Sequence, residues 1–259
     1  ADARPAATAA GFTMVIEPGE VDRDEADVAI PPPAARSVNG VPVRRVGPVL
    51  LHDHHDLCDR AQALADLDLP ADGRYGLISL GTGLAGPLAH TAGPLVTALR
   101  NRGLVPVVAA SPLSPPPTVE GALVRQRYPL APSLAAFDVV VLAAGYNSVV
   151  EAVACRAPAV LVPNPAAAVD DQLARAVALD QQGLAVLWDS TGRAGAEGAA
   201  GPGPAGGLDR ALDRALDGRA ELVERMAARA VPQGATRAAA LVQELAQSRA
   251  HQPRRRSIR

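Results

Sequence analysis

The chain contains no lysine; all 25 of its basic residues are arginine. That excludes a Walker-type phosphate lysine, a Schiff-base nucleophile and a lysine general base. Aromatic residues make up only 2% of 259 positions, so any core has to be built from Val, Leu and Ala. Hydrophobic residues reach 48%, enough for a sizeable core in one large domain or two small ones. There are two cysteines, Cys58 and Cys155, far apart and matching no metal spacing. Cys155 reads as a small core residue, and a reducing cytoplasm fits this usage. No apolar run reaches the roughly eighteen residues of a spanning helix, and no secretory signal is visible. A formal charge of -2 gives no global reason to bind nucleic acid. The excess of Ala, Gly, Pro and Arg fits coding in a GC-rich bacterial genome.

Residues 1–45 hold too little apolar sequence for a core of their own. A short strand at Phe12–Ile16 is followed by the acidic EPGEVDRDEAD and by IPPPAARS. This reads as the last piece of a preceding domain with its linker. The extended Val46–Leu51 then enters a main domain expected over 46–250. In HDHHDLCDR, the residues His52, His54, His55, Asp53, Asp56 and Asp59 admit two readings. One is a metal cluster; the other is a solvated entry to a helix around Leu57–Leu67. The second is adopted, and no metal is expected.

From Gly76 the pattern is regular. Strands are expected at Gly76–Leu80, Leu104–Ala109, Ala122–Tyr128, Asp138–Leu142, Ala159–Val162 and Leu184–Leu187. Helices are expected at Pro87–Arg102, Ser148–Arg156 and Gln172–Gln182. Near-continuous apolar strands alternating with helices imply an α/β fold, a Rossmann-like parallel sheet with helices on both faces. Ser111–Thr118 is a Pro-rich loop. Residues 191–207, TGRAGAEGAAGPGPAGG, read as a flexible insertion. Amphipathic helices follow at Leu208–Ala230 and Ala235–Ala246. The basic tail 251–259 is either a disordered end or a weak peripheral contact with an anionic membrane.

Three junctions carry the chemistry. Gly81–Gly86 fits G-x-G-x-x-G between a strand and a helix, the context of a dinucleotide fingerprint. The acid expected at the end of the next strand is missing, where the chain reads Val108-Ala109-Ala110-Ser111, and this counts against NAD. The second junction, Gly145-Tyr146-Asn147-Ser148, follows the fourth strand and starts a helix whose amides can face an anion. Ser148-x-x-Glu151 matches a capping box; alternatively, Glu151 accepts hydrogen bonds from ribose hydroxyls. The third junction, Val162–Gln172, ends in Asp170-Asp171-Gln172. Asp170 or Asp171 suits a helix N-cap, and an acid beside an amide also suits vicinal sugar hydroxyls. Arg175 can pair with Asp171 four residues earlier or reach a phosphate.

The motifs GYNSVVEA, PAVLVPNP and DDQLARA, in that order and spacing, resemble the C-terminal domain of glycosyltransferase family 28, the donor-binding half of a GT-B enzyme. The group is that of the peptidoglycan lipid I N-acetylglucosaminyltransferase. VRRVGPVLL resembles the interdomain segment and ISLGTG the first strand and turn, so the likeness covers about residues 40–250. It implies that Glu151 binds the ribose and that Gly145, Tyr146, Asn147 and Ser148 hold the diphosphate. It also implies that Asp171 and Gln172 contact the donor sugar, that Thr82 and Gly83 close over the phosphates, and that Tyr128 lies near the base. The expected activity is inverting, metal-independent hexosyl transfer from a nucleotide-diphospho-sugar, UDP-linked, without a cofactor. A cytoplasmic protein, peripheral to the inner face of the membrane, is the expected setting.

The chain also departs from the family. Family members carry an N-terminal domain that binds the acceptor and supplies the base, and this chain has room for only its last fragment. None of His52, His54, His55, His90 or His251 matches that base, so no catalytic residue is assigned. An acceptor-binding domain or subunit supplied separately is therefore expected. The alternatives are a UDP-sugar 2-epimerase-like protein and a non-catalytic or split subunit of a GT-B enzyme. A dinucleotide oxidoreductase ranks last.

Overall fold

A computed structural model describes residues 12–21, 37–38, 40–81, 89–113, 115–167, 170–191, 204–229, 231 and 233–250. The expected acidic and Pro-rich linker at 22–36, most of the 191–207 insertion and the 251–259 tail lie outside these residues. The chain divides into two compact units, residues 1–50 with 231–259, and residues 51–230. Residues 46–50 and the stretch from 231, both expected within the main domain, therefore group with the N-terminal segment.

In the first unit, β1 (Val15–Pro18) runs parallel to β3 (Val41–Val46), and β2 (Ser37–Val38) pairs antiparallel with β3. The chain's C-terminal helix, Gly234–Ala250, also belongs here. Gln233 joins it to the strand segment: its amide nitrogen donates to Leu50 O at 3.2 Å and its Oε1 accepts from Leu50 N at 3.1 Å.

The second unit starts with α1 (Arg60–Asp66), capped by Asp59, whose carboxylate accepts from Gln62 N at 2.9 Å. A six-stranded sheet follows: β4 (Tyr75–Ser79), β5 (Val105–Ala110), β6 (Leu123–Gln126), β7 (Val139–Ala143), β8 (Ala159–Val162) and β9 (Val186–Leu187). Every pairing is parallel, in the order β6-β5-β4-β7-β8-β9. Each of the six strands lies where the apolar runs place it. The order follows from burial. β7 and β8 are Val- and Leu-rich and buried at every position, which only central strands covered on both faces can be. β6 is partly exposed throughout and takes the edge.

Helices α2 (Ala92–Arg100), α3 (Tyr146–Ala154), α4 (Gln172–Gln181), α5 (Pro204–Asp217) and α6 (Arg219–Ala228) flank this sheet, and α7 is the C-terminal helix already described. Residues 204–207 form the first turn of α5 rather than the end of a loop. The crossover from β5 to β6 contains no helix, because its sequence is the Pro-rich loop that cannot form one.

The exit of α3 is unusual in its residue. Ala157 N bonds to Ala152 O and Arg156 N to Val153 O, the paired bonds of a Schellman ending. The left-handed position is held by Arg156, at φ 53°, where glycine is the common occupant.

Candidate functional site

The strand order reverses between β4 and β7. In open parallel sheets, ligands bind outside the carboxyl ends of strands at such a switch point. Gly81 leaves β4 there with φ 89°, a conformation that requires glycine. A Cβ placed on Gly81 would lie 3.9 Å from the Ala143 Cβ, so Gly81 stands beside the end of β7. Thr82 and Gly83 lie outside the described residues.

At the second junction α3 begins at Tyr146, two residues before the expected Ser148. Its N-cap is Gly145, extended at φ -69° and ψ 155°, and no side chain caps the end. Val149 N donates the first intrahelical bond, to Gly145 O at 3.1 Å. The N–H groups of Tyr146, Asn147 and Ser148 precede that bond, and helix geometry gives them no intrahelical acceptor. Ser148 is therefore inside the first turn, and the capping box that was one of the two readings of Glu151 does not form. Ser148 reads locally as a cap, but Gly145 starts the helix earlier.

Glu151 is half-buried one turn further on. Burial pushes its carboxyl above the usual glutamate range. Among the described residues its carboxylate has neither a hydrogen bond nor an ion pair. Cys155, four residues on, is pushed up to about 12, first by burial and then by Glu151, and its Sγ donates to Ala131 O at 3.5 Å. It is an inert core thiol, as its sequence context suggests.

The third junction is tied to the second by side chains. Asp171 is the N-cap of α4, its Oδ1 accepting from Ala174 N at 3.1 Å. Gln172 opens the helix. Its Oε1 accepts from Asn164 N at 3.0 Å and its Nε2 donates to Asp170 Oδ2 at 3.3 Å. The same Nε2 lies 3.8 Å from where a Cβ on Gly145 would stand. Of the two readings of Arg175, the pairing with Asp171 is replaced by one with its neighbour. Its Nη2 meets Asp170 Oδ1 at 2.7 Å and its Nη1 donates to Ala144 O at 3.0 Å. Asp170, Asn164 and this role of Arg175 were not legible from motif spacing. A charged residue among the buried-face neighbours Ala176 and Leu179 was the available signal.

Gly145, Tyr146, Asn147, Ser148, Glu151, Asp171 and Gln172 are thus brought to two adjoining junctions. Tyr128 is not among them. It follows β6 on the same carboxyl edge, 70% exposed, three strand spacings or roughly 14 Å from β7. At the helical entry before α1, Asp53, His55 and Asp56 have ligand atoms within 4.8 Å of one another, all exposed. That arrangement is common on solvated surfaces.

Residues 127–194 match the model of the glycosyltransferase family 28 C-terminal domain. The span contains every candidate residue named above except Thr82 and Gly83. Solved GT-B glycosyltransferases share the fold. The kitacinnamycin glycotransferase is 21% identical with a TM-score of 0.54, over 78% of this chain and 49% of that one. The calicheamicin glycosyltransferase CalG4 is 21% identical with a TM-score of 0.52, over 81% and 49%. Acinetobacter baumannii MurG is 17% identical with a TM-score of 0.52, over 85% and 68%. The chain spans about half the length of the first two. No curated protein sequence matches it. The second unit therefore has the α/β fold seen in these glycosyltransferases, and residues 127–194 resemble the family 28 C-terminal domain. No helix among the described residues is long and apolar enough to cross a membrane.

Proposed function

We propose that the β4–β7 switch point binds a nucleotide-diphospho-sugar, UDP-linked, as the donor half of an inverting, metal-independent hexosyltransferase. The observation that carries this reading is Glu151. A half-buried carboxylate with no partner among the described residues opposes folding, and the capping role that would explain it is absent. Ribose hydroxyls are donors that would satisfy it.

The roles proposed for the other residues follow the resemblance to the family 28 domain. The diphosphate sits at the uncapped start of α3, against the N–H groups of Tyr146, Asn147 and Ser148. As the glycosidic bond to the phosphate breaks, negative charge grows on the departing nucleoside diphosphate. The helix end stabilises that charge without a metal ion. Asp171 and Gln172 face the sugar hydroxyls, Tyr128 the base, and Thr82 with Gly83 close over the phosphates. The acceptor and the base that deprotonates it come from a separate acceptor-binding domain or subunit. The setting is the cytoplasmic face of the membrane, with peripheral association only.

Calorimetric titration of the chain with UDP tests this reading. Binding is expected, and Glu151→Ala should weaken it by about 1–3 kcal/mol, the scale of a lost charged hydrogen bond. Equal affinity in the two proteins, or no binding in either, would sink the reading.

A further inference from the structure

Arg175 is 8% exposed, on the buried side of α4. A guanidinium taken out of water is costly unless paired and hydrogen-bonded, and an apolar side chain would fill the same space at least as well. Its described side-chain contacts lead to the junctions. Ala144, whose carbonyl it holds at 3.0 Å, is the single residue between β7 and the N-cap of α3. The N–H of Ala144 donates to Val162 O at 3.2 Å, so both of its backbone groups are fixed from the β8–α4 side. Asp170 divides its oxygens between Arg175 at 2.7 Å and Gln172 at 3.3 Å. Gln172 passes the restraint on to Asn164 N at 3.0 Å.

We propose that Arg175 and Asp170 form a positioning pair that locks the β7–α3 turn to the β8–α4 loop. The lock holds the Gly145 turn and the Gln172 amide in register. The benefit to a donor rests on the function proposed above; the lock itself does not. Neither residue touches the ligand in this account. Arg175 acts through the Ala144 carbonyl, and Asp170 through Gln172.

Amide hydrogen exchange on the whole chain reads the lock directly. In Arg175→Met, the amides of Ala144, Val149 and Asn164 should exchange about tenfold faster or more, while those of Val107 and Val108 in β5 stay unchanged. Asp170→Asn is less exposed to folding failure, since Asp170 is only partly buried, and it should loosen the same three amides. The double variant should be no looser than the worse single one, because both act through one contact. Arg175→Lys, which keeps the charge, should recover part of the protection.

Unchanged exchange at Ala144 and Asn164 in both variants would overturn the proposal. So would an equal loss of protection across β5, which would mean general destabilisation. UDP affinity should fall in step with Ala144 protection, and a loosened turn with undiminished affinity would refute the link to the ligand. If the unaltered chain binds no UDP, the proposed function fails, and the exchange pattern still decides the lock.

Discussion

The two halves of one sheet are built differently. At its centre, Val139, Val140, Val141 and Val160 have no exposed surface, and the turns that follow β7 and β8 are cross-tied through Arg175, Asp170 and Gln172. On the other side of β4, β6 is a half-exposed edge. Its carboxyl end leads to Tyr128, 70% exposed, and the neighbouring loop after β5 presents Leu113, 94% exposed. Between those two ends Gln126 Nε2 donates to Ser111 O at 2.9 Å. The proposed donor, spanning this edge, would meet a preorganised region at the central junctions and a more open one beside β6. Preorganisation lowers the cost of binding, so the specificity of the site should reside in the central junctions.

The largest expected effect concerns the core beneath them. Leu161→Ala, at a fully buried position of β8, should destabilise by about 2–5 kcal/mol. Leu123→Ala on β6 should cost under about 1 kcal/mol. Urea denaturation measures both, and similar values would erase the contrast between centre and edge. A smaller effect separates ligand from fold at Gly145. Its φ suits any residue, and an added Cβ would meet Gln172 at an ordinary contact distance. Gly145→Ala should therefore leave the melting temperature unchanged and lower UDP affinity about tenfold, or about 1.4 kcal/mol, by blocking close backbone approach. If the fold weakens instead, the glycine is structural. The smallest effect is at the exit of α3. Arg156→Gly should stabilise the chain by about 1 kcal/mol by removing a left-handed arginine, with UDP affinity unaltered. A thermal melt beside a titration checks both.

The six strands were legible because most are short apolar runs bounded by turn residues, and the buried centre of a parallel sheet needs that pattern. The start of α3 was not. Ser148-x-x-Glu151 has the local form of a cap, and only the extended Gly145 turn shows that the helix has already begun. The partners of Arg175 were hidden for a related reason. Its nearest acid in helical spacing is Asp171, but its described partners include Asp170 and a carbonyl 31 positions away, just past the end of β7. A contact of that range leaves no periodic trace. The three junction motifs were visible in the sequence as candidate anion and sugar sites, whereas their cross-ties depend on how the strands are ordered.

Glu151 is where the comparison becomes decisive. Its carboxyl is raised by burial, so the folded state holds that proton more tightly than the unfolded chain. The stabilisation from this group is present below the unfolded pKa and is lost as pH rises through the folded one. At neutral pH the ionised carboxylate therefore works against the fold, while the proposed contact with ribose hydroxyls uses it ionised. Binding should weaken as pH falls through the raised value. The central measurement is a paired one on Glu151→Gln at neutral pH, the melting temperature together with UDP affinity by calorimetry. A ligand carboxylate predicts a melting temperature equal or higher and an affinity weaker by about 1–3 kcal/mol. A lower melting temperature with unchanged affinity would contradict the account and make Glu151 a structural residue.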